Sequence, residues 1–183
     1  MMPTPVVGQI GELKGHALAY AAAGFAVFPL HGDKTPRTTN GMKDATTDPA
    51  AVTGWWDRWP DALIGCRVPE DVVVIDVDPK HNGMATWKAL KHEHGELPHT
   101  RGHHSGRNDG GGHLWFRRPH GKLSIRNLNR WAKEHGTGEA AGKHSWVAGI
   151  DLLHHNHRYT ILPPSPHPVT GAPYQWVKGH GPE

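Results

Sequence analysis

The chain has a single cysteine, Cys66, and no long apolar run. One thiol excludes an internal disulfide framework and a zinc site built on several cysteines. Nothing approaches the ~20 apolar residues that a membrane-spanning helix needs. No basic segment leads into an apolar stretch at the N-terminus, as a secretory signal would require. The chain is therefore expected to be cytoplasmic (host cytoplasm if a phage or plasmid encodes it), with no membrane partner. Hydrophobic residues make up only 36% of the 183, so the core has to be economical and the loops long. Neither sign of charge dominates: 20 Lys and Arg against 17 Asp and Glu give +3. The 17 histidines, each about a quarter protonated at pH 7, add roughly four charges. A mildly basic surface suits a polyanionic partner.

Glycine and proline are plentiful, at 23 and 16. Residues 1–11 read as a disordered lead-in, and 12–183 as one domain of two lobes sharing a core. Leu13, Ala17, Tyr20 and Ala21 recur at helical spacing, and Gly24 stands where a left-handed cap ends the helix. A short strand over 25–30 runs into a polar loop carrying Lys34, Arg37 and Lys43. Asp48 caps a second helix with Pro49 in its first turn, and Val52, Trp55, Trp56 and Trp59 share its inner face. After a strand at 63–65, the β-branched run Val72-Val73-Val74-Ile75 describes a buried central strand. A helix over 83–94 follows, with Met84, Trp87 and Leu90 expected inward, completing a βαβ-like unit. Further strands are expected at 113–117, 149–153, 158–162 and 174–177. Segment 118–148 is polar, basic and glycine-punctuated, with one short helix near 128–133. The class is α+β or α/β, with a more β-rich second half.

The central strand ends on two acids, Asp76 and Asp78. Side chains two apart on a strand point the same way, about 7 Å apart at Cα. Paired carboxylates repel and are costly to desolvate unless a positive charge compensates. A divalent cation supplies that charge, and hard oxygen ligands suit Mg²⁺ or Mn²⁺. Asp151 interrupts a second apolar strand and is the candidate third acid. His113 opens a strand directly after Gly110-Gly111-Gly112, where backbone N–H groups can approach an anion closely. The bland readings are solvated strand-end acids and a surface histidine beside a flexible loop. The several histidines around 99–104 and at 154 read as solvated rather than as a zinc site.

In order, these elements resemble the Prim-Pol family, the bifunctional primase–polymerase branch of the archaeo-eukaryotic primases found on plasmids and phages. The likeness runs through Ala23-Gly24-Phe25-Ala26-Val27-Phe28-Pro29-Leu30, Lys34 and Pro36, Asp44-Ala45-Thr46-Thr47-Asp48-Pro49, Trp55-Trp56 and Ile64-Gly65. It continues with Asp76-Val77-Asp78, Gly111-Gly112-His113-Leu114-Trp115-Phe116, Gly149-Ile150-Asp151 and Tyr159-Thr160-Ile161-Leu162-Pro163-Pro164-Ser165. Gly171, Tyr174 and Trp176 close it. Segment 118–148 is longer and more polar than the family's pattern leads one to expect.

The resemblance implies a primase-type α/β lobe against an RRM-like β-rich lobe, with the active site between them. It implies that Asp76, Asp78 and Asp151 hold two Mg²⁺ or Mn²⁺ ions and that His113 contacts the incoming nucleotide. Gly111, Gly112, Lys34, Arg101, Arg107, Arg117 and Ser165 are the further candidates for nucleotide, phosphate or template contacts. The implied partners are a single-stranded DNA template with its primer and dNTPs or NTPs, and a helicase in cis or in trans is a candidate. No helicase follows residue 183, so a stand-alone polymerase module or the N-terminal part of a larger protein is expected. Two competing readings are kept. A rolling-circle-type initiator endonuclease would use His155-Asn156-His157 and Tyr159. A non-catalytic single-strand binder would stack bases on tryptophan, but leaves three embedded acids unexplained.

Overall fold

A computed structural model describes residues 10–118 and 149–181. The expected helix near 128–133 and residues 1–9 of the expected lead-in lie outside the described residues. Ile10 and Gly11, read as part of that lead-in, instead belong to helix α1 (Ile10–Ala22). The apolar spacing begins at Leu13, but a helix needs a first turn before its first inward side chain. Strand β1 (Val27–Leu30) follows, then a 3₁₀ turn at Gly41–Asp44 and helix α2 (Pro49–Arg58). In α2 the Asp48 carboxylate accepts from the N–H groups of Ala50 and Ala51, as its place before Pro49 led one to expect.

Next come β2 (Leu63–Cys66), β3 (Val72–Val77), a 3₁₀ turn at Pro79–His81 and α3 (Gly83–His94). The remaining strands are β4 (Arg101–His104), β5 (Gly112–Arg117), β6 (Ile150–His154), β7 (Thr160–Ile161) and β8 (Gln175–Trp176). They form a three-stranded sheet, β1-β2-β7, and a five-stranded sheet, β6-β3-β5-β4-β8. Every neighbouring pair is antiparallel. β3 and β4 both pair with β5, so they run the same way with β5 between them. The expected βαβ unit is thus a split one. The fold is mixed α+β, with three α-helices among the described residues.

β4 was not foreseen. Its sequence, Arg-Gly-His-His, has no apolar alternation, and its buried positions are Gly102 and His103. The strand expected over 158–162 shrinks to two residues, because Arg158 adopts a left-handed backbone with φ 61°.

One core joins the two sheets. Leu13, Ala17 and Tyr20 of α1, Val52 and Trp56 of α2, and Val27, Ile64 and Cys66 of the small sheet pack against Val74, Trp115 and Leu153 of the large one. Trp56 is fully enclosed and its indole N–H donates to the Ala62 carbonyl. Trp55 and Trp59 only line the margin of the same cluster, so the three-tryptophan core face narrows to one. The opposite face of the small sheet carries its own cluster, Phe28, Leu30, Leu63, Ile161 and Tyr174.

Helix α3 departs from expectation. Met84 is exposed and Trp87 and Leu90 are half-buried; only Gly83 is enclosed. The helix packs on β3 and β6 at its first turn, where a glycine allows close approach, so its apolar residues do little of the packing.

Candidate functional site

The register of the large sheet sets out the site. Asp76 pairs directly with Asp151 on one side and with His113 on the other; His113 pairs with His103, and His103 with Trp176. Directly opposed residues in antiparallel strands project to the same face. The five side chains therefore form one row across the sheet. The adjacent row on that face, Leu153, Val74 and Trp115, is core. The two acids thus sit one step beyond the core, where the strands emerge.

Asp78 follows on the same side. Its backbone N–H donates to the Gly149 carbonyl at 2.7 Å, and its own carbonyl accepts from Gly83 N–H at 2.9 Å. There is no room for a side chain here: a Cβ on Gly83 would lie 2.5 Å from the Gly149 carbonyl oxygen and 2.6 Å from that of Asp78. The Asp78 carboxylate caps the turn that follows, accepting from Lys80 N–H at 3.0 Å and facing His81 Nδ1 at 2.9 Å. Arg107 stands 3.7 Å from it.

Each acid has a basic side chain beside it. His113 Nε2 lies 3.3 Å from Asp76, and Arg158 lies 3.6 Å from Asp151. Burial pulls the Asp76 carboxyl upward, but His113, then Lys34 and Arg158, outweigh it and hold the group below its usual value. Lys34 is itself pushed down, first by burial and then by Arg107. Both Lys34 (φ 74°) and Arg158 (φ 61°) hold left-handed backbones, which non-glycine residues adopt at a cost. Two basic side chains with that backbone therefore stand beside the acid pair.

A cleft of about 120 Å³ opens over Asp76 and His113. Of the residues singled out from sequence, Lys34, Asp76, Asp78, Arg107, Gly111, Gly112 and His113 line it. Asp151 is not in the lining but pairs with Asp76. Arg101 instead stands over the Phe25 ring, Arg117 is exposed at the far end of β5, and the buried Ser165 hydroxyl accepts from Ile64 N–H. None of these three lines the cleft. Gly111 N–H is taken by the Asp109 carboxylate, so what Gly111 and Gly112 offer is close packing: added Cβ atoms would meet Pro79 and the His103 carbonyl at 2.6 Å.

Sequence reasoning missed Ser105, His167 and Tyr174 in the lining, and Arg158 and Thr160 behind it. Period-two alternation around Tyr159 could have put Arg158 and Thr160 on one face; nothing local marks His167. His103, read among solvated histidines, is 1% exposed, and burial holds it neutral, well below its ordinary value. Among the described residues no three His, Cys, Asp or Glu side chains converge closely enough to hold a metal ion as they stand. No helix among the described residues is long and apolar enough to cross a membrane.

His167 supports an acid-lability prediction. It is 1% exposed, accepts from Arg107 Nε at 3.1 Å, and so cannot carry a proton on Nε2. Burial, then Lys34 and Arg107, push its pKa down to about 4. Between the usual 6.5 and that value the unfolded chain takes up a proton that the folded chain refuses. Stability is complete above the window and falls as pH drops through it. His167→Gln, which keeps an acceptor for Arg107, should remove up to about 3 kcal/mol of this acid sensitivity. Thermal melts from pH 7 to 4 check it; parallel curves for the two proteins would refute it.

Fold and site together define a mixed α+β domain with paired carboxylates at the rim of an antiparallel sheet, above a small cation-lined cleft. The chain belongs to the Prim-Pol family, described as bifunctional DNA primase/polymerase, N-terminal, whose model matches residues 17–183. That description places it among proteins with DNA primase/polymerase-type, nucleotidyl-transferring activity. No curated protein matches the chain.

Proposed function

We propose that this chain catalyses template-directed nucleotidyl transfer, as a DNA primase, a DNA polymerase or both, in the replication of a phage, plasmid or similar element. The observation that carries the reading is the register: Asp76 lies between Asp151 and His113, over a cleft lined by Lys34 and Arg107. A second support is the chain path. The order β6-β3-β5-β4, built as β3-α3-β4-β5 and then β6, is what an RRM-like lobe needs, with the small sheet, α1 and α2 as the other lobe.

The donor set suits a hard divalent ion. Asp76, Asp78 and Asp151 would hold Mg²⁺ or Mn²⁺, exchanging their present contacts with His113, His81, Arg107 and Arg158. The His81 and Arg158 pairs are largely exposed and worth ~0–1 kcal/mol each; the His113 and Arg107 pairs are more enclosed, and the cation would replace the positive charge they supply. When bound, such ions activate a hydroxyl nucleophile and neutralise charge on a departing pyrophosphate. The chain's own residues do the positioning. Lys34 and Arg107 attract and orient the polyphosphate, and His113 donates Nε2–H toward it. Tyr174, whose burial raises its pKa to about 12, presents a hydroxyl that stays protonated. Positioning and fixed charge supply most of the rate in phosphoryl transfer.

The endonuclease reading finds no support in the hairpin it would use. The His155 ring nitrogens face the Val68 carbonyl and Glu70, while the Tyr159 hydroxyl donates to the Lys34 carbonyl. The test is incubation of the full chain with primed and unprimed single-stranded templates, dNTPs or NTPs, and Mg²⁺ or Mn²⁺. Incorporation that Asp76→Ala abolishes, with an unchanged circular dichroism spectrum, is expected. Strand cleavage with a covalent tyrosine adduct would favour the endonuclease, and template binding without incorporation the silent binder.

A further inference from the structure

Three consecutive residues leading into β7 each grip a different part of the site. Arg158 pairs with Asp151 at 3.6 Å, the Tyr159 hydroxyl donates to the Lys34 carbonyl at 2.7 Å, and Thr160 Oγ1 lies 2.6 Å from His113 Nδ1. Thr160 belongs to the small sheet, opposite Cys66, whereas His113 belongs to the large one. The Thr160–His113 bond therefore crosses between the sheets. Thr160 is fully buried, and a buried hydroxyl without a partner is costly, so this contact is held firmly.

We infer that Thr160 is a positioning residue that holds the His113 ring in the orientation that sets Nε2 against Asp76. A threonine hydroxyl can donate one hydrogen or accept. Opposite Thr160, His113 Nε2 faces the Asp76 carboxylate at 3.3 Å. A bare Nε2 lone pair against that anion would be repelled, so Nε2 carries hydrogen. In the neutral ring Nδ1 is then the acceptor, and Thr160 must donate to it. His103, edge-on at 4.7 Å between ring centroids, closes the ring's remaining freedom. The result is an Nε2–H aimed at the cleft, ready for an anionic oxygen.

The consequence for nucleotide binding rests on the proposed function; the consequence for the ring does not. Long-range ¹⁵N–¹H spectra of the full chain should show a single His113 pattern with hydrogen on Nε2. Thr160→Val, nearly the same shape without the hydroxyl, should free the ring and replace it with a broadened or split pattern. Where the chain incorporates nucleotides, the same variant should raise nucleotide KM about tenfold, the worth of one buried hydrogen bond, with kcat little changed. Thr160→Ser should restore both readings. In a His113→Ala background, Thr160→Val should add nothing to KM. An unchanged His113 spectrum in Thr160→Val would overturn the inference, as would a KM effect that adds fully to that of His113→Ala. If the valine variant does not fold, Thr160→Cys, with its weaker donor, must show a broadened or split His113 pattern or the inference fails. A chain that incorporates no nucleotide at all would refute the proposed function and leave the spectral comparison decisive.

Discussion

Asp151→Asn is expected to lower template-directed incorporation by at least about a hundredfold while leaving the melting temperature nearly unchanged. The two halves of this expectation have separate causes. Asp151 stands directly across from Asp76, and an amide in its place removes one negative charge from the acid row. Its own present partner is Arg158, whose side chain is 58% exposed. Such a pair contributes ~0–1 kcal/mol, so its loss shifts the melting temperature by no more than about 4 °C. Asp57→Asn serves as control, because Asp57 pairs with Lys14 between α1 and α2, away from the acid row. Steady-state incorporation and thermal melts on the two variants check the pair of statements. An Asp151→Asn protein that still incorporates nucleotides at the wild-type rate would remove Asp151 from the site.

Gly83→Ala should be the most damaging of the small substitutions. Helix propensity alone would favour alanine by ~1 kcal/mol, but sterics overrule it. The new Cβ would meet two backbone carbonyl oxygens, of Gly149 and Asp78, and the Asp78 nitrogen at 2.8 Å, none of which can swing away like a side-chain end. Relief requires α3 to lift from β3 and β6, which breaks the Gly83–Asp78 hydrogen bond. Overpacking of this kind costs ~3 kcal/mol, or roughly 6–12 °C in melting temperature for a chain of this length. Incorporation should fall with it, since the backbone that moves carries Asp78. Gly15→Ala is the internal comparison: it lies inside α1 with nothing within 4 Å of its added Cβ, and should stabilise by up to ~1 kcal/mol. Equal melting temperatures for the two variants would contradict the steric argument.

Much of the site was readable because it breaks local rules. Acids at the end of a β-branched run, or inside Ile150–His154, stand out against apolar neighbours, and an Asp before Pro49 announces a helix start. Such signals are short-range and repeat with the period of a strand or helix. β4 carried no such signal, since its two buried residues are a glycine and a histidine. Met84 and Trp87 misled in the opposite direction: their spacing suited an inward face, yet α3 is held down at Gly83 and leaves them outside or half-covered.

What the sequence determined by itself was the succession of helices and strands apart from β4, the family, and which acids and cations were worth watching. Only the tertiary structure decided their partners. Thr160 reaches His113 across 47 residues and Tyr159 reaches Lys34 across 125, while Arg101, Arg117 and Ser165 turn to other tasks. The reason is physical: backbone hydrogen-bond periodicity acts between near neighbours in the chain, whereas charge compensation and the exclusion of water depend on which distant segments the core brings together.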